Sequence, residues 1–167
     1  MNATVNVILA GLGGQGVIKA SDVLSEAAFR AGYDVKKSEL HGMSQRGGSV
    51  CSDVRFGPKT LSPMVPPGEA DFLVALASEE VEVNRAQLRP GGTLISPDFV
   101  DTAGLSNRKS LNIALLGALS VHLQISQQNW TAAIHSCFPE KLHAANEQAF
   151  AAGRDAALAA PRNSTTL

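Results

Sequence analysis

The sequence predicts an α/β fold, a three-layer domain in which helices cover both faces of a mainly parallel sheet. Short β-branched apolar runs alternate along the chain with segments whose apolar residues recur at helical spacing. The runs at residues 5–10 and 70–77 are apolar except for Asn6 and Asp71, which is typical of strands buried on both faces. The first run leads through glycines into a helix beginning at Val17. Gly32 suits the end of that helix, and residues 35–40 form the second strand.

The remaining elements follow in the same alternating pattern. Strands are expected at residues 49–56, 70–77 and 93–96, and helices at residues 78–89, 111–124, 127–136 and 140–159. Ser78 is expected to cap the second helix and Ser126 the fourth. Four prolines between residues 58 and 67 indicate a long irregular connection. Residues 1–160 are therefore predicted to form one domain, and the polar tail at 161–167 is expected to be disordered.

Composition excludes several functional classes. The 14 basic and 15 acidic residues give a net charge of −1, and aromatic residues are 5% of the chain. We therefore expect no nucleic-acid or membrane partner, because neither a basic surface nor a base-stacking platform is indicated. No apolar stretch approaches the ~20 residues of a membrane span, so a cytoplasmic location is expected. Cys51 and Cys137 are too few for an iron–sulfur cluster, a four-thiolate zinc site or a disulfide framework.

The first glycine loop, residues 11–16, matches the pattern G-x-G-x-x-G between a strand and a helix. Such a loop brings backbone amides and the positive end of a helix dipole close to a phosphate or another anion. The alternative is that its glycines only allow strand and helix to pack closely. A dinucleotide site would also need an acidic residue ~20 positions on, for which Glu39 is the only candidate. The candidate binding residues of this loop are Gly11, Gly13, Gly14, Gln15 and Gly16.

The second glycine loop, residues 41–48, follows the second strand and combines polar side chains with glycines. Ligands of open α/β sheets bind at the carboxyl ends of strands, where this loop is expected to lie. Arg46 can grip a phosphate or a carboxylate through its planar fork. The loop has neither the Gly-Lys-Ser/Thr of a P-loop nor the final glycine of a nucleophile elbow. Its candidate ligand-binding or interface residues are His41, Ser44, Gln45, Arg46, Gly47 and Gly48.

Several segments together resemble one enzyme family. The matching segments occur in the same order as in the family. They are GLGGQGV, KKSELHGMSQRGGSV, VRFG, LRPGG at 88–92, and Asn112 followed by LGA at 116–118. The chain is similar over nearly its whole length to the gamma-type subunit of 2-oxoacid:ferredoxin oxidoreductases that act on pyruvate, ketoisovalerate or 2-oxoglutarate. The closest resemblance is to the smaller (beta) subunit of indolepyruvate oxidoreductase. The segment at residues 97–110 is shorter than in that family, which puts one element of the sheet and its contacts in question.

The resemblance implies a Rossmann-like accessory subunit of a complex that oxidatively decarboxylates a 2-oxoacid to an acyl-coenzyme A. It implies that thiamine diphosphate, magnesium and iron–sulfur clusters belong to partner subunits and that electrons pass on to ferredoxin. The isolated chain is then not catalytic, binds none of these cofactors alone and has no metal site. The first loop and Arg46 are expected to face a partner or a phosphate of coenzyme A, and Asn112 is an interface candidate or a helix N-cap.

Two readings remain beside this one, and in both the chain is a stand-alone Rossmann-type nucleotide-binding protein. It could be an oxidoreductase that binds NAD through Gly11, Gly13, Gly16 and Glu39, or a non-catalytic module that binds a nucleotide such as coenzyme A. The sequence does not identify the 2-oxoacid, because substrate contacts are expected on the thiamine-binding chains.

Overall fold

The computed structural model describes residues 4–41, 47–100 and 110–160. The strands are β1 (Val5–Leu12), β2 (Asp34–His41), β3 (Ser49–Gly57), β4 (Ala70–Ala75) and β5 (Leu88–Ile95). The α-helices are α1 (Val17–Arg30), α2 (Ser78–Asn84), α3 (Leu111–Ser120), α4 (Gln127–Cys137) and α5 (His143–Ala159). Short 3₁₀ turns occur at Arg85–Gln87, Pro97–Phe99 and Glu140–Leu142. The described residues thus contain the five strands and two α-helices up to Ile95 and are mainly helical after it.

The five described strands form one sheet in the order β2-β3-β1-β4-β5. β1 pairs in parallel with β4, and β4 pairs in parallel with β5. β3 runs antiparallel to both of its neighbours, β1 and β2. Four of these five strands therefore point in one direction, which confirms the predicted α/β fold with a mainly parallel sheet. The expected succession β1-α1-β2 is present along the chain. The two strands are not neighbours in the sheet, because β3 lies between them.

The larger core lies on one face of the sheet. Val7 and Leu9 of β1 belong to this core, together with the apolar residues of α1, α3, α4 and α5. On the other face Ile8 and Ala10 pack with Leu73 and with Val65 of the irregular connection. α2 lies on this second face, because its Asn84 contacts Cys51, the register partner of Ala10. Helices thus cover both faces of the sheet, as predicted.

Gly32 ends α1 in the way its sequence predicts. It has a φ of 89°, its N–H donates to the carbonyl of Phe29, and the N–H of Tyr33 donates to the carbonyl of Ala28. These two bonds form a Schellman motif, which satisfies the last carbonyls of the helix.

A glycine contact brings α3 and α5 unusually close together. A Cβ atom on Gly117 would lie 2.0 Å from the carbonyl oxygen of Phe150, and one on Gly153 would lie 1.7 Å from that of Ala114. Only glycine fits at both positions, so the helices approach backbone to backbone. Phe150 also packs on Trp130 of α4, with ring centroids 5.2 Å apart.

The main differences from the predicted elements surround β5. The predicted helix at 78–89 ends at Asn84 and is followed by the turn Arg85–Gln87. β5 then begins at Leu88, five residues before the predicted strand at 93–96, and includes Pro90, which an edge strand tolerates because its outer N–H groups need no partner.

Smaller boundary differences occur elsewhere. β4 stops at Ala75 rather than residue 77, and α3 ends at Ser120 rather than near residue 124. The prediction of Ser78 as a cap is wrong, since Ala77 precedes α2 and Ser78 is its first residue. Ser126 caps α4 as predicted, with its side chain accepting from the Asn129 N–H.

Two expectations concern residues that lie wholly or mostly outside the described ranges. The tail at 161–167 lies outside the described residues, as does most of the segment at 97–110, so both expectations about them stay predictions. Among the residues that the structure describes, no helix combines the length and apolar character needed to cross a bilayer.

Candidate functional site

The first glycine loop is closed by its own glutamine. The N–H of Leu12 donates to Oε1 of Gln15 over 2.7 Å, and the N–H of Gln15 donates to the carbonyl of Leu12 over 3.1 Å. The side-chain amide thus reinforces the backbone turn and fixes the exit of β1. Gln15, a candidate binding residue from sequence, therefore holds the loop in shape through this oxygen.

Two glycines of the loop are needed for close packing. A Cβ on Gly11 would lie 2.8 Å from Cγ2 of Val17, and one on Gly16 would lie 2.6 Å from Nδ2 of Asn112. Asn112 is buried in the first turn of α3, and its Nδ2 donates to the carbonyl of Gly16 over 3.1 Å. Asn112 is not the N-cap of α3, which is Ser110. It ties α3 to the start of α1 instead.

Gly14 differs from these two glycines because it faces open space. Its φ is 90°, a region that favours glycine, and no atom outside its chain neighbours lies within 4 Å of an added Cβ. A side chain there would project into free volume rather than into the core.

The N-terminus of α1 presents an electrostatically favourable end to an anion. Gly16 caps it without a side-chain hydrogen bond, and its first turn contains no acidic residue. The Ala20 N–H bonds to the carbonyl of Gly16, so the three preceding amides have no helical partner. In the described part of the chain no other group is bonded to them, and they carry the partial positive charge of the helix dipole.

These groups border a groove of about 460 Å³. Its lining residues are Leu12, Gly13, Gly14, Gly16, Val17, Ile18, Lys19, Asp22 and Val50. The walls are mainly apolar. Lys19 supplies a positive charge, with its Nζ 3.4 Å from the carbonyl of Cys137 and 5.7 Å from the ring centroid of Phe138. Asp22 is neutralised by Lys37, whose Nζ lies 2.5 Å from its Oδ1.

The end of the second glycine loop lies against the first. The N–H of Gly13 donates to the carbonyl of Gly48 over 2.9 Å, and a Cβ on Gly13 would lie 3.4 Å from the nitrogen of Gly47. The structure thus brings Gly13, Gly47 and Gly48 together. Ser44, Gln45 and Arg46 lie outside the described residues, as does the side chain of His41. Their roles in binding stay predictions.

Behind the second loop lies a buried polar cluster that the sequence reasoning missed. Glu80 of α2 is 4% exposed, and its Oε2 accepts from Oγ of Ser49 at 2.8 Å and from Nδ2 of Asn84 at 3.1 Å. Oδ1 of Asn84 accepts from the Cys51 thiol. Burial, with Glu80 and Asp53 nearby, raises the pKa of Cys51 to about 11. From sequence, Glu80 is indistinguishable from an exposed acid in the first turn of a helix.

The strand order disfavours a dinucleotide site. In that fold the acidic residue stands at the end of the strand next to the glycine-loop strand. Here β3 separates β2 from β1, so the strand of Glu39 lies two strand spacings, about 10 Å, from β1 instead of one. Glu39 is moreover held by Lys37, with 2.7 Å between Oε1 and Nζ.

The two cysteines do not converge on a metal or cluster site. Cys51 contacts Asn84 on the α2 face of the sheet, whereas Cys137 ends α4 near Lys19 on the opposite face. In the described ranges no group of three His, Cys, Asp or Glu side chains is arranged to hold a metal ion. The donor set of these residues therefore does not fit an iron–sulfur cluster.

Two curated relatives match 54% and 64% of the chain. Subunit IorB of indolepyruvate oxidoreductase from Thermococcus kodakarensis is 47% identical over 93 residues, covering 54% of this chain and 45% of that protein. IorB from Pyrococcus horikoshii is 46% identical over 113 residues, covering 64% of this chain and 55% of the relative. The chain thus spans about half the length of these relatives.

Solved structures share the fold over nearly the whole chain. The gamma subunit of a keto/oxoacid ferredoxin oxidoreductase from Geobacter sulfurreducens has a TM-score of 0.78 and 29% identity, covering 93% of this chain and 99% of that one. The 2-oxoglutarate:ferredoxin oxidoreductase of Magnetococcus marinus has a TM-score of 0.84 at 22% identity, covering 97% of this chain and 32% of that one. At that identity the second likeness shows the fold alone.

The family itself is identified by a match over more than half of the sequence. Residues 6–103 match the family described as pyruvate ferredoxin/flavodoxin oxidoreductase, a range that includes β1 from its second residue, β2 to β5 and both glycine loops. This match confirms the resemblance inferred from the motifs. The chain belongs to the pyruvate ferredoxin/flavodoxin oxidoreductase family.

Proposed function

We propose that this chain is the accessory, gamma-type subunit of a complex that oxidatively decarboxylates a 2-oxoacid to an acyl-coenzyme A and reduces ferredoxin. The observation that carries the proposal is the two-way match to the Geobacter gamma subunit, which covers 93% of this chain and 99% of that one. Relatives named as IorB, as a ketoisovalerate oxidoreductase subunit and as a 2-oxoglutarate synthase subunit support the same class.

In this proposal the redox cofactors belong to partner subunits. A cluster takes about four thiolates, whereas Cys51 and Cys137 are the two cysteines of the chain and lie on opposite faces of the sheet. Thiamine diphosphate, magnesium and the clusters are therefore assigned to the partners, with ferredoxin as the distant electron acceptor. The chain works as a cytoplasmic component of this assembly and has no activity alone.

The groove beside the first glycine loop is the proposed contact for a phosphate of coenzyme A. The amides at the start of α1, to which no described residue is bonded, suit an anion, as do the open space at Gly14 and the charge of Lys19. The apolar walls suit the rest of an organic ligand. His41, Ser44, Gln45 and Arg46 complete the contact in this proposal. A partner subunit in the groove is the alternative occupant.

Co-purification tests the class of function. A tagged chain produced in its native host is expected to retain a thiamine-binding subunit and a brown, cluster-containing subunit. The purified assembly should reduce ferredoxin or a viologen dye with one of indolepyruvate, pyruvate, 2-oxoisovalerate or 2-oxoglutarate, in the presence of coenzyme A. A colourless monomer that oxidises NADH would overturn the proposal.

A pair of matched glycine variants tests the groove. Gly14 and Gly32 have nearly the same φ, 90° and 89°, and neither has an atom within 4 Å of an added Cβ. Valine at either position therefore causes a similar backbone strain of roughly 1–2 kcal/mol, but only Gly14 borders the groove. In the assembled complex, Gly14→Val is expected to raise the KM for coenzyme A about tenfold or more, and Gly32→Val to leave it unchanged.

Arg46→Ala is expected to raise the same KM. Equal KM values for wild type, Gly14→Val and Arg46→Ala would exclude coenzyme A from the groove. Loss of partner subunits on purification of Gly14→Val, with Gly32→Val still assembled, would identify the groove as a subunit interface.

A further inference from the structure

Glu80 is a buried carboxylate with a defined set of hydrogen-bond donors. It is 4% exposed, and the donors that reach its Oε2 are the hydroxyl of Ser49 and the side-chain amide of Asn84. Both donors are neutral. Burying a carboxylate costs free energy that neutral hydrogen bonds only partly offset, so packing alone is a poor reason for an acid at this position.

Asn84 fixes the direction in which Glu80 points. Its Nδ2 donates both to the Glu80 carbonyl, over 2.9 Å, and to Oε2, over 3.1 Å. Asn84 is itself buried and accepts from Cys51 of β3. The carboxylate is thus anchored on its own helix, and its bond to Ser49 is the contact it makes with the chain that follows the second loop.

Ser49 connects this anchor to both glycine loops. It is the first residue of β3 and directly follows Gly48, whose carbonyl accepts from the N–H of Gly13. On the other face of the sheet Asn112 holds Gly16, the last residue of the first loop. From one face of the sheet α2 therefore holds the residue that follows the second loop, and from the other face α3 holds the end of the first loop.

We propose that Glu80 is a positioning residue that acts through Ser49 to hold Gly48, at the end of the second glycine loop, against Gly13 of the first loop. Its role is to fix the first loop, which borders the groove for coenzyme A, so the inference rests on the proposed function for its effect on the enzyme. The effect on the loops themselves does not depend on that function.

The first test measures the loops in the isolated full-length chain. Loss of the carboxylate in Glu80→Ala should weaken the bond between Gly13 and Gly48, so hydrogen exchange of the Gly13 amide should rise about fivefold or more. Exchange at Leu9 of β1 serves as the internal reference. Glu80→Gln retains an oxygen that can accept from Ser49, and is expected to restore protection at Gly13.

The second test measures the assembled complex at a temperature where every variant is folded. Glu80→Ala and Ser49→Ala should each raise the KM for coenzyme A about tenfold with kcat retained, and the double variant should be no worse than either single one. Glu80→Gln should lie near wild type. Glu79→Ala, an exposed neighbour in the same helix turn, is the matched control and should leave KM unchanged.

The outcomes separate the two proposals. Unchanged exchange at Gly13 in Glu80→Ala overturns the positioning role, and so does raised exchange with an unchanged KM, since the effect is then purely structural. If the wild-type chain assembles with no partner, the proposed function fails, and the exchange result alone decides whether Glu80 holds the loops.

Discussion

At the scale of single residues, Cys51 is expected to be an unreactive thiol. Burial beside Glu80 and Asp53 raises its pKa to about 11, so roughly one molecule in a thousand carries the reactive thiolate at pH 8. In a Cys137→Ser variant, labelling of Cys51 by a disulfide reagent at pH 8 should be about 100-fold slower than that of free cysteine. Unfolding in guanidinium should restore the ordinary rate, and rapid labelling of the folded chain would contradict the assignment.

Asp53 gives the fold a predictable dependence on pH. Burial raises the pKa of its carboxyl above the ordinary value of 3.8, although the Val65 N–H and Arg55 oppose this. The folded state then binds its proton more tightly than the unfolded state, so this group's contribution to stability falls as pH rises from about 3.8 through the raised value.

Asp53→Asn should remove this pH dependence, because an amide does not titrate. Its oxygen can still accept from the Val65 N–H, so the hydrogen bond is kept. The variant should therefore gain stability relative to wild type between pH 4 and pH 7 in urea unfolding. Asp155→Asn, at an exposed position on α5, is the control and should show no such gain. A constant difference across this pH range for Asp53→Asn would contradict the prediction.

Sequence reasoning identified the residues of the first loop but not the task of each. A G-x-G-x-x-G pattern does not say which glycine is packed and which is open; the structure assigns packing to Gly11 and Gly16 and open space to Gly14. Gln15 and Asn112 were candidates for binding, and their observed bonds hold the loop. The bond of Asn112 joins chain segments 96 residues apart, which local patterns do not report.

At the scale of elements, the contact of α3 with α5 gives the sharpest stability prediction. Gly153→Ala would place a methyl group 1.7 Å from the carbonyl oxygen of Ala114, so the helices must separate. We expect a loss of about 3 kcal/mol or more in the free energy of unfolding, measured by urea titration. Ala152→Ser, which adds one atom on the exposed side of the same helix, should change it by less than about 0.5 kcal/mol.

The elements that sequence predicted well have strong local signals. β1, α1 and α4 are bounded by glycine or serine signals, and their apolar spacing is regular. The predicted strand is shorter than β5 because Pro90 and the two following glycines indicate a break; in the structure they lie in a register irregularity between Leu88 and Thr93, which both pair with β4. The position of β3 between β1 and β2 depends on strand pairing, which hydrophobic patterns do not encode.

At the scale of the whole molecule, the proposed domain boundary can be tested by truncation. α5 ends at Ala159, and its contacts with α3 and α4 involve Phe150, Gly153 and Arg154. Removal of residues 161–167 is therefore expected to change the free energy of unfolding by less than about 0.5 kcal/mol. Removal of residues 150–167 deletes those contacts and should abolish cooperative unfolding, as followed by circular dichroism. A large loss from the shorter deletion would move the boundary beyond residue 160.

The reversed direction of β3 has a consequence for how this domain can diversify. Because β2 and β3 are adjacent and antiparallel, residues 42–48 join two neighbouring strand ends rather than crossing the sheet. A change in the length or composition of this connection leaves the pairing of every strand in place. We therefore expect that exchange of this segment between homologous subunits leaves the scaffold folded.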